Sequence, residues 1–374
     1  MTTPPRLLIV AAEPSADLYG KRVLEKLRLK NKAVRAFGIG GEGLRKEGLR
    51  CLVPAEELSL FGLAEVWEKI PRALSFFRRI RREAQIERPH AALLIDAPDF
   101  NVPLASALKR LRIPVVYYMA PQVWAWRRRR IHVLRRSVDS LFVGFPFEKS
   151  FFRRQGISAE YFGHPIVENT TAEIVAHETA SRPGFPTIAV LPGSRPSELE
   201  HHVGLLNETA ERLRRRWPNA HFIAAAANRG AANTLKHHAQ FCDSVVEARA
   251  LCALAASDAA LVCSGSATLE AALAGTPMAI FYKLHPATYH LLRALSRYRG
   301  PIGIPNLIQE RRGIPEFIQN DATPQNLAEA VDSLLSNADT RQNQIQFLQQ
   351  CRHILGSHSP SEHVANQLQT YFPQ

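Results

Sequence analysis

Short apolar runs alternate with amphipathic stretches along almost the whole chain. Runs with β-strand character lie at 7–12, 91–95, 115–119, 140–144, 187–191, 221–225, 259–263 and 278–282, with shorter candidates at 35–38 and 244–247. Most are flanked by segments with helical periodicity. That alternation predicts an α/β fold whose parallel sheets are covered on both faces. The first series ends near Tyr161-Phe-Gly-His-Pro165, and a polar stretch follows, closing in Ser181-Arg-Pro-Gly-Phe-Pro186. A second series begins at Thr187, so a linker is expected around 165–185. The expected organisation is two Rossmann-like doubly wound domains, 1–168 and 169–340, facing an interdomain cleft, then a polar, Gln-rich helical tail at 341–374. In such folds ligands bind outside the carboxyl ends of the strands.

Length and composition bound the chemistry. At 374 residues the chain exceeds what one core usually supports, and 46% hydrophobic with 22% charged residues describes an ordinary globular protein. The net charge of +13 favours anionic partners: phosphorylated substrates, acidic lipid or nucleic acid. Cys51, Cys242, Cys252, Cys263 and Cys351 are dispersed, without the paired spacing of a zinc site. No run approaches the length of a membrane-spanning helix.

The segment Ser264-Gly-Ser-Ala-Thr-Leu-Glu-Ala-Ala-Leu-Ala-Gly-Thr-Pro277 lies between two apolar runs and reads as the turn and helix of a βαβ unit. Free N–H groups at that helix entrance suit an anion. No Walker lysine follows the glycine. Glu270 stands there instead, which fits a nucleotide sugar whose hydroxyls meet a carboxylate better than it fits ATP.

Other candidates end neighbouring strands. Ala12-Glu-Pro-Ser-Ala-Asp17 crowds Glu13 and Asp17 at one helix entrance, where Ser15 or Asp17 can cap. Asp96, in Leu94-Ile-Asp-Ala-Pro-Asp-Phe-Asn101, closes a very apolar strand and is placed for a general base or for a turn. Leu191-Pro-Gly-Ser-Arg195 sets Arg195 beside a helix whose Ser197 and Glu200 have capping-box spacing. Asn306 suits a ligand contact or a turn. In 65–82, Trp67, Ile70, Leu74 and Phe77 recur at helical spacing before four arginines. That stripe suits either an interfacial helix on acidic lipid or a core-facing helix with a solvated basic end, and Pro71 limits the helix before it. Aromatics beside the arginines at 127–130 suit stacking on single-stranded nucleic acid or an apolar, anionic pocket.

Taken in order, Glu13-Pro-Ser-Ala-Asp17, Leu60-Phe-Gly-Leu-Ala-Glu-Val66, Ile95-Asp-Ala-Pro-Asp-Phe-Asn101, Pro121-Gln-Val-Trp-Ala-Trp126, Phe145-Pro-Phe-Glu148, Gly163-His-Pro165, Leu191-Pro-Gly-Ser-Arg195, Ser264–Pro277 and Pro305-Asn-Leu307 resemble the lipid-A-disaccharide synthase family. These are bacterial inverting glycosyltransferases of the GT-B architecture. Ala12 and Ala16 stand where the family usually has glycine, and Gln122 where it has serine. The resemblance implies that UDP-2,3-diacylglucosamine and 2,3-diacylglucosamine 1-phosphate (lipid X) become the β-1,6-linked tetraacyl disaccharide 1-phosphate and UDP. It implies Asp96 as base, with Glu13, Ser15 and Asp17 near the reacting sugars. Donor contacts would come from Ser194, Arg195, Ser264, Gly265, Ser266, Thr268, Glu270 and Asn306, with no metal and no cofactor. Acyl and membrane contact would fall to Val66, Trp67, Ile70, Leu74, Phe76 and Phe77, on an anionic membrane surface. The implied location is peripheral, on the cytoplasmic face of the bacterial inner membrane, with no nucleic-acid partner. The tail either returns to the first domain or is exchanged in a homodimer. A UDP-N-acetylglucosamine 2-epimerase, another GT-B enzyme, or a basic nucleic-acid-binding protein are the alternatives.

Overall fold

The computed structural model describes residues 4–59, 66–125, 127–168, 185–286, 288–289, 293, 298–356 and 359–373, with the backbone alone for 59 and 66–70. The chain divides into two compact units, Met1–Pro165 with His358–Gln374, and Ile166–Ser357. Most of the expected linker, and the motif at 60–65, lie outside the described residues.

In the first unit β1 (Arg6–Ala11), β2 (Arg35–Gly40), β3 (Arg50–Pro54), β4 (Ala91–Ile95), β5 (Val115–Tyr118), β6 (Ser140–Phe142) and β7 (Ala159–Glu160) form one sheet. Its order is β3-β2-β1-β4-β5-β6-β7, parallel throughout. Residues alternate between two cores, as a strand's period of two requires: Leu8, Val10, Leu94 and Tyr117 on one face, Leu7, Ile9, Ile95 and Tyr118 on the other. The winding reverses between β1 and β4, where Ala11 lies beside Ile95. The chain therefore leaves both strands at one point of the carboxyl edge, the switch point at which such sheets bind ligands.

The second unit repeats the plan with β8 (Thr187–Leu191), β9 (His221–Ala226), β10 (Ser244–Glu247), β11 (Ala259–Cys263), β12 (Met278–Tyr282) and β13 (Glu316–Ile318). The order is β10-β9-β8-β11-β12-β13, again all parallel, with the switch between β8 and β11. β3, β7 and β13 escaped the hydrophobic pattern because they are short edge strands carrying polar residues.

The second domain boundary differs from expectation. The break anticipated at residue 340 falls inside the helix Ala338–Leu355, whose Phe347, Leu348, Cys351 and Leu355 are buried in the second unit. Only the last helix, Pro360–Gln369, joins the first unit, burying Val364, Ala365 and Leu368 beneath the sheet's second face. There His363 stacks on Phe162 with ring centroids 4.0 Å apart, and the Tyr371 hydroxyl meets Ser140 Oγ at 3.1 Å.

The stripe at 66–87 also differs. One helix, Val66–Glu87, runs through Pro71 rather than stopping before it. Phe77 turns inward, edge-on to Phe100 at 6.1 Å, and with Ile80 and Ala84 lines the core. Phe76 is half-buried against the same core, whereas Leu74 is 48% exposed. The face read as one outward stripe is therefore split. The side chains of Val66, Trp67 and Ile70 lie outside what is described.

Candidate active site

Asp96 leaves β4 with φ +48°, and Ala97 follows at +42°. Two successive non-glycine residues in the left-handed region cost about 1–3 kcal/mol each, so the surroundings must hold them there. The Asp96 amide donates to Tyr118 O at 3.0 Å, and its carbonyl accepts from Tyr117 Oη at 2.7 Å and Asn101 Nδ2 at 2.8 Å. Asn101 also donates to Ile95 O, and Pro98 begins the next helix immediately after Ala97. The backbone is pinned on three sides, which fixes the direction of a half-buried carboxyl at the strand end.

Burial pushes the Asp96 carboxyl up to about 7, and the negative charge of Glu13 adds to the effect. Glu13 is the exposed first cap of the helix Pro14–Lys30, and Ser15 is exposed beside it. Neither Ser15 nor Asp17 caps that helix. Ala12 and Ala16 are buried, with Ala16 already inside the helix, so alanine fits both places where the family tends to have glycine.

Asp17, expected near the reacting sugars, proves to be a structural cap. Its carboxylate is buried and accepts from the amides of Gly41, Gly43 and Leu44 at 2.6, 2.8 and 3.2 Å, closing the start of the helix Glu42–Lys46. Asp99 is exposed and holds an ion pair with both Arg127 and Arg130, so the ends of that arginine tract converge on a carboxylate.

In the second unit the turn after β8 is built around Glu198. Gly193 has φ +114°, and a Cβ there would stand 2.6 Å from Glu198 Oε2, so both conformation and space demand glycine. Glu198 Oε2 accepts from the amides of Ser194 and Arg195 at 2.9 and 3.1 Å, and Oε1 meets Arg195 Nη1 at 3.2 Å. The capping partner is thus Glu198, not the Ser197–Glu200 pair, both of which are exposed. The Ser194 amide is committed to that carboxylate. The Arg195 side chain remains 69% exposed, with its guanidinium anchored at one nitrogen.

His202 is fully buried beneath this turn. Nδ1 lies 2.7 Å from Pro192 O and Nε2 accepts from the Lys283 amide at 3.0 Å, an arrangement that suits the neutral Nδ1–H tautomer. Burial holds its pKa below the usual histidine range. His202 thereby ties the end of β8 to the end of β12. Neither Glu198 nor His202 stands out in the sequence, because each gains its role from a partner's backbone.

The turn after β11 presents Gly265 and Ser266 exposed, with φ +155° at Gly265 and nothing within 4 Å of where its Cβ would be. Among the described residues the amides of Gly265, Ser266 and Ala267 find no acceptor at the start of the helix Ala267–Ala274. Ser264 Oγ donates to Ile302 O at 3.3 Å. Glu270 is half-exposed in the helix's first turn.

The side chains of two expected donor contacts are engaged within the protein. Thr268 is buried, its hydroxyl donating to Gly265 O at 2.7 Å and accepting from the Ile304 amide at 3.3 Å. Asn306 is fully buried and saturated: Nδ2 donates to Ile314 O and Glu316 Oε1, each at 2.8 Å, and Oδ1 accepts from Gly313 and Ile314 at 3.0 Å. Both side chains brace the loops around the turn. Among the described residues no group of three His, Cys, Asp or Glu is placed to hold a metal ion.

The family model for lipid-A-disaccharide synthetase matches residues 7–369. A lipid-A-disaccharide synthase from Anaeromyxobacter sp. (strain K) is 41% identical over 371 residues, covering 97% of this chain and 96% of its own. The Myxococcus xanthus lipid-A-disaccharide synthase is 35% identical over 380 residues, covering 100% and 99%. Among solved structures, the UDP-GlcNAc 2-epimerase from Neisseria meningitidis bound to UDP-GlcNAc aligns with a TM-score of 0.61 at 11% identity, over 98% of each chain. A calicheamicin glycosyltransferase aligns at 0.62 and 13%, also over 98% of each. At such identities these structures carry the fold alone, two parallel-sheet α/β units of the GT-B architecture.

Proposed function

The chain belongs to the lipid-A-disaccharide synthetase family, a family of glycosyltransferases, and we propose that residues at the carboxyl edge of each sheet serve that family's transfer reaction. UDP-2,3-diacylglucosamine is the donor, lipid X the acceptor, and UDP with the β-1,6-linked disaccharide 1-phosphate the products. The observation that carries the reading is Asp96, a half-buried carboxyl fixed at the switch point of the first sheet and tuned to about 7. A base with its pKa near working pH is about half ionised there and still binds a proton well. Asp96 takes the proton of the acceptor's 6-hydroxyl as that oxygen attacks the donor's anomeric carbon. Glu13, whose charge raises the Asp96 pKa, keeps the base strong.

In the second unit the Arg195 guanidinium and the amides at 265–267 meet the negative charge that grows on the departing pyrophosphate. Glu270 supports the donor's sugar hydroxyls. Asp17, Thr268 and Asn306 act by shaping these edges. Supplying both sugars should yield UDP and disaccharide in equal amounts, read by mass spectrometry; UDP release without disaccharide would refute the assignment. The epimerase alternative shares the architecture at 11–12% identity, whereas the family match extends over 7–369.

We further infer that the first unit works on an anionic membrane surface. No described helix is long and apolar enough to cross a membrane. The support is the helix Val66–Glu87, where Leu74 is exposed and Arg78, Arg79, Arg81 and Arg82 face solvent, together with substrates that carry acyl chains. Leu74→Ser should weaken sedimentation with vesicles containing anionic lipid and leave thermal stability unchanged. Unaltered vesicle binding would remove Leu74 from the contact. Phe77 is unsuitable for that test, because its ring packs against Phe100.

A further inference from the structure

Among the described residues Glu148 is the most buried carboxylate of the first unit, 1% exposed, and the transfer step above leaves it without a role. It follows β6, four residues after Gly144, on the helix Pro146–Arg154. Burying a carboxylate carries a desolvation penalty of several kcal/mol that only good partners offset. The partners are three donors. Oε2 accepts from the amides of Gly144 and Phe145 at 3.1 and 3.0 Å, and Oε1 accepts from the indole Nε1 of Trp124 at 2.8 Å. The two amides close a local turn. The indole does not: it belongs to the loop after β5, so the bond ties together the exits of two neighbouring strands.

Trp124 is half-exposed and meets Phe147, also half-exposed, edge-to-face at 5.3 Å. Behind them Phe145 stacks on Phe147 at 5.9 Å and on buried His164 at 5.6 Å, and His164 meets Tyr19 edge-on at 6.3 Å. A row of rings thus runs along the carboxyl edge of the sheet and includes the half-exposed Trp124 and Phe147. Aromatic faces of this kind stack well on the C–H faces of sugar rings. Asp96 lies close enough for its charge to be felt at Glu148.

We propose that Glu148 is a positioning residue that locks Trp124, through its indole N–H, so that the Trp124–Phe147 pair forms a platform for the acceptor sugar beside Asp96. The inference rests on the reading of Asp96 as the acceptor's base. Trp124→Phe keeps the ring and removes the donor; Glu148→Gln keeps the shape, but sets an amide NH2 against donors that need acceptors. Losing a hydrogen bond to a charged group should raise the acceptor KM on the order of tenfold in each variant, with the donor KM changed less than about twofold. The double variant should be no worse than Glu148→Gln alone, because both changes remove one interaction.

A second readout separates positioning from plain stability. Among the described residues the charged groups felt at this edge are Glu13, which raises Asp96, Glu148, which burial and the Asp96 charge push up to about 7, and Arg130 and Asp99, which act on Tyr117. Lys149 pairs with Glu160 rather than with Glu148. The acid limb of kcat/KM is set by the burial of Asp96 and the charge of Glu13, so it should stay in place in Glu148→Gln while the acceptor KM rises and the donor KM does not. A merely structural loss would lower kcat and Tm and raise both KM values together. Steady-state kinetics on both substrates, with thermal melts, decide the matter. Equal rises in donor and acceptor KM, or none in Trp124→Phe, would overturn the proposal. Turnover surviving in Asp96→Asn would instead sink the reading on which it rests, so the two failures are distinguishable.

Discussion

Asp96→Asn should lower kcat by about 10²–10⁴-fold, the range expected when a general base is removed, while the protein folds as before. The amide keeps the size and the backbone bonds of Asp96, so Tyr117 and Asn101 retain their acceptor. Only the proton acceptor is lost. Stability supplies a check on the same residue. Burial raises the folded-state pKa above the ordinary aspartate value of 3.8 to about 7, so the folded protein holds this proton more tightly than the unfolded chain. Stability contributed by Asp96 therefore falls as pH rises from about 4 to about 7. Above that window Asp96→Asn should melt at or above the wild-type temperature although it turns over poorly. In the wild type, kcat/KM should climb with pH up to about 7 and then level, since the base must be ionised. Glu13→Gln removes the second cause of the raised pKa and should move that acid limb to lower pH. A pH-independent wild-type profile, or a variant that retains turnover, would show that another group takes the proton.

Arg195→Ala should reduce kcat by about 10²–10³-fold, the magnitude found when one preorganised donor to a developing anion is deleted. UDP should then protect the protein less against thermal unfolding. Arg195 is 69% exposed and its amide, which the change keeps, still closes the turn with Glu198 when the single ion pair of its side chain is lost, so the fold should survive the change. Arg195→Lys should recover only part of the loss, because an ammonium cannot reach a phosphate with two parallel N–H groups. Glu198→Ala should behave differently. It would release the amides of Ser194 and Arg195, lower stability and disorder the turn, so its kinetic loss should come with a lower Tm. If Arg195→Ala left both kcat and UDP protection intact, the pyrophosphate reading of this edge would fail.

Asp96 illustrates how far residue order alone reaches. A carboxylate after Ala91-Ala-Leu-Leu-Ile95 has to emerge at the carboxyl edge of a sheet, because a run that apolar is buried on both faces. The alternation of such runs made the two α/β halves legible, and the ordered motifs made the family legible. The same reasoning placed Arg195 and the Gly265 turn at strand ends, since a tight turn between strand and helix leaves few other places for them.

Side-chain direction was not legible, and that is where expectation and structure part. Asp17 is one helical turn from Glu13 in sequence, but only the return of 41–44 shows that its oxygens are taken by three amides. Asn306 and Thr268 have the composition of ligand contacts, yet loops brought back from 302–316 consume them. Phe77 and Leu74 share one helix and similar hydropathy, and the neighbouring Phe100 decides which faces inward. Conversely Glu198 and His202 look ordinary in the sequence, and the structure gives Glu198 the amides of the turn before its helix and His202 the Lys283 amide from beyond β12. Residue order alone specified the inner strands, the edge at which they end and the kinds of charge gathered there, because burial of apolar runs is a local property of the chain, whereas the short edge strands β3, β7 and β13 left no such run. Which of those charges remain open to a substrate was decided only by tertiary structure, because a polar group's freedom depends on whether distant backbone comes back to satisfy it.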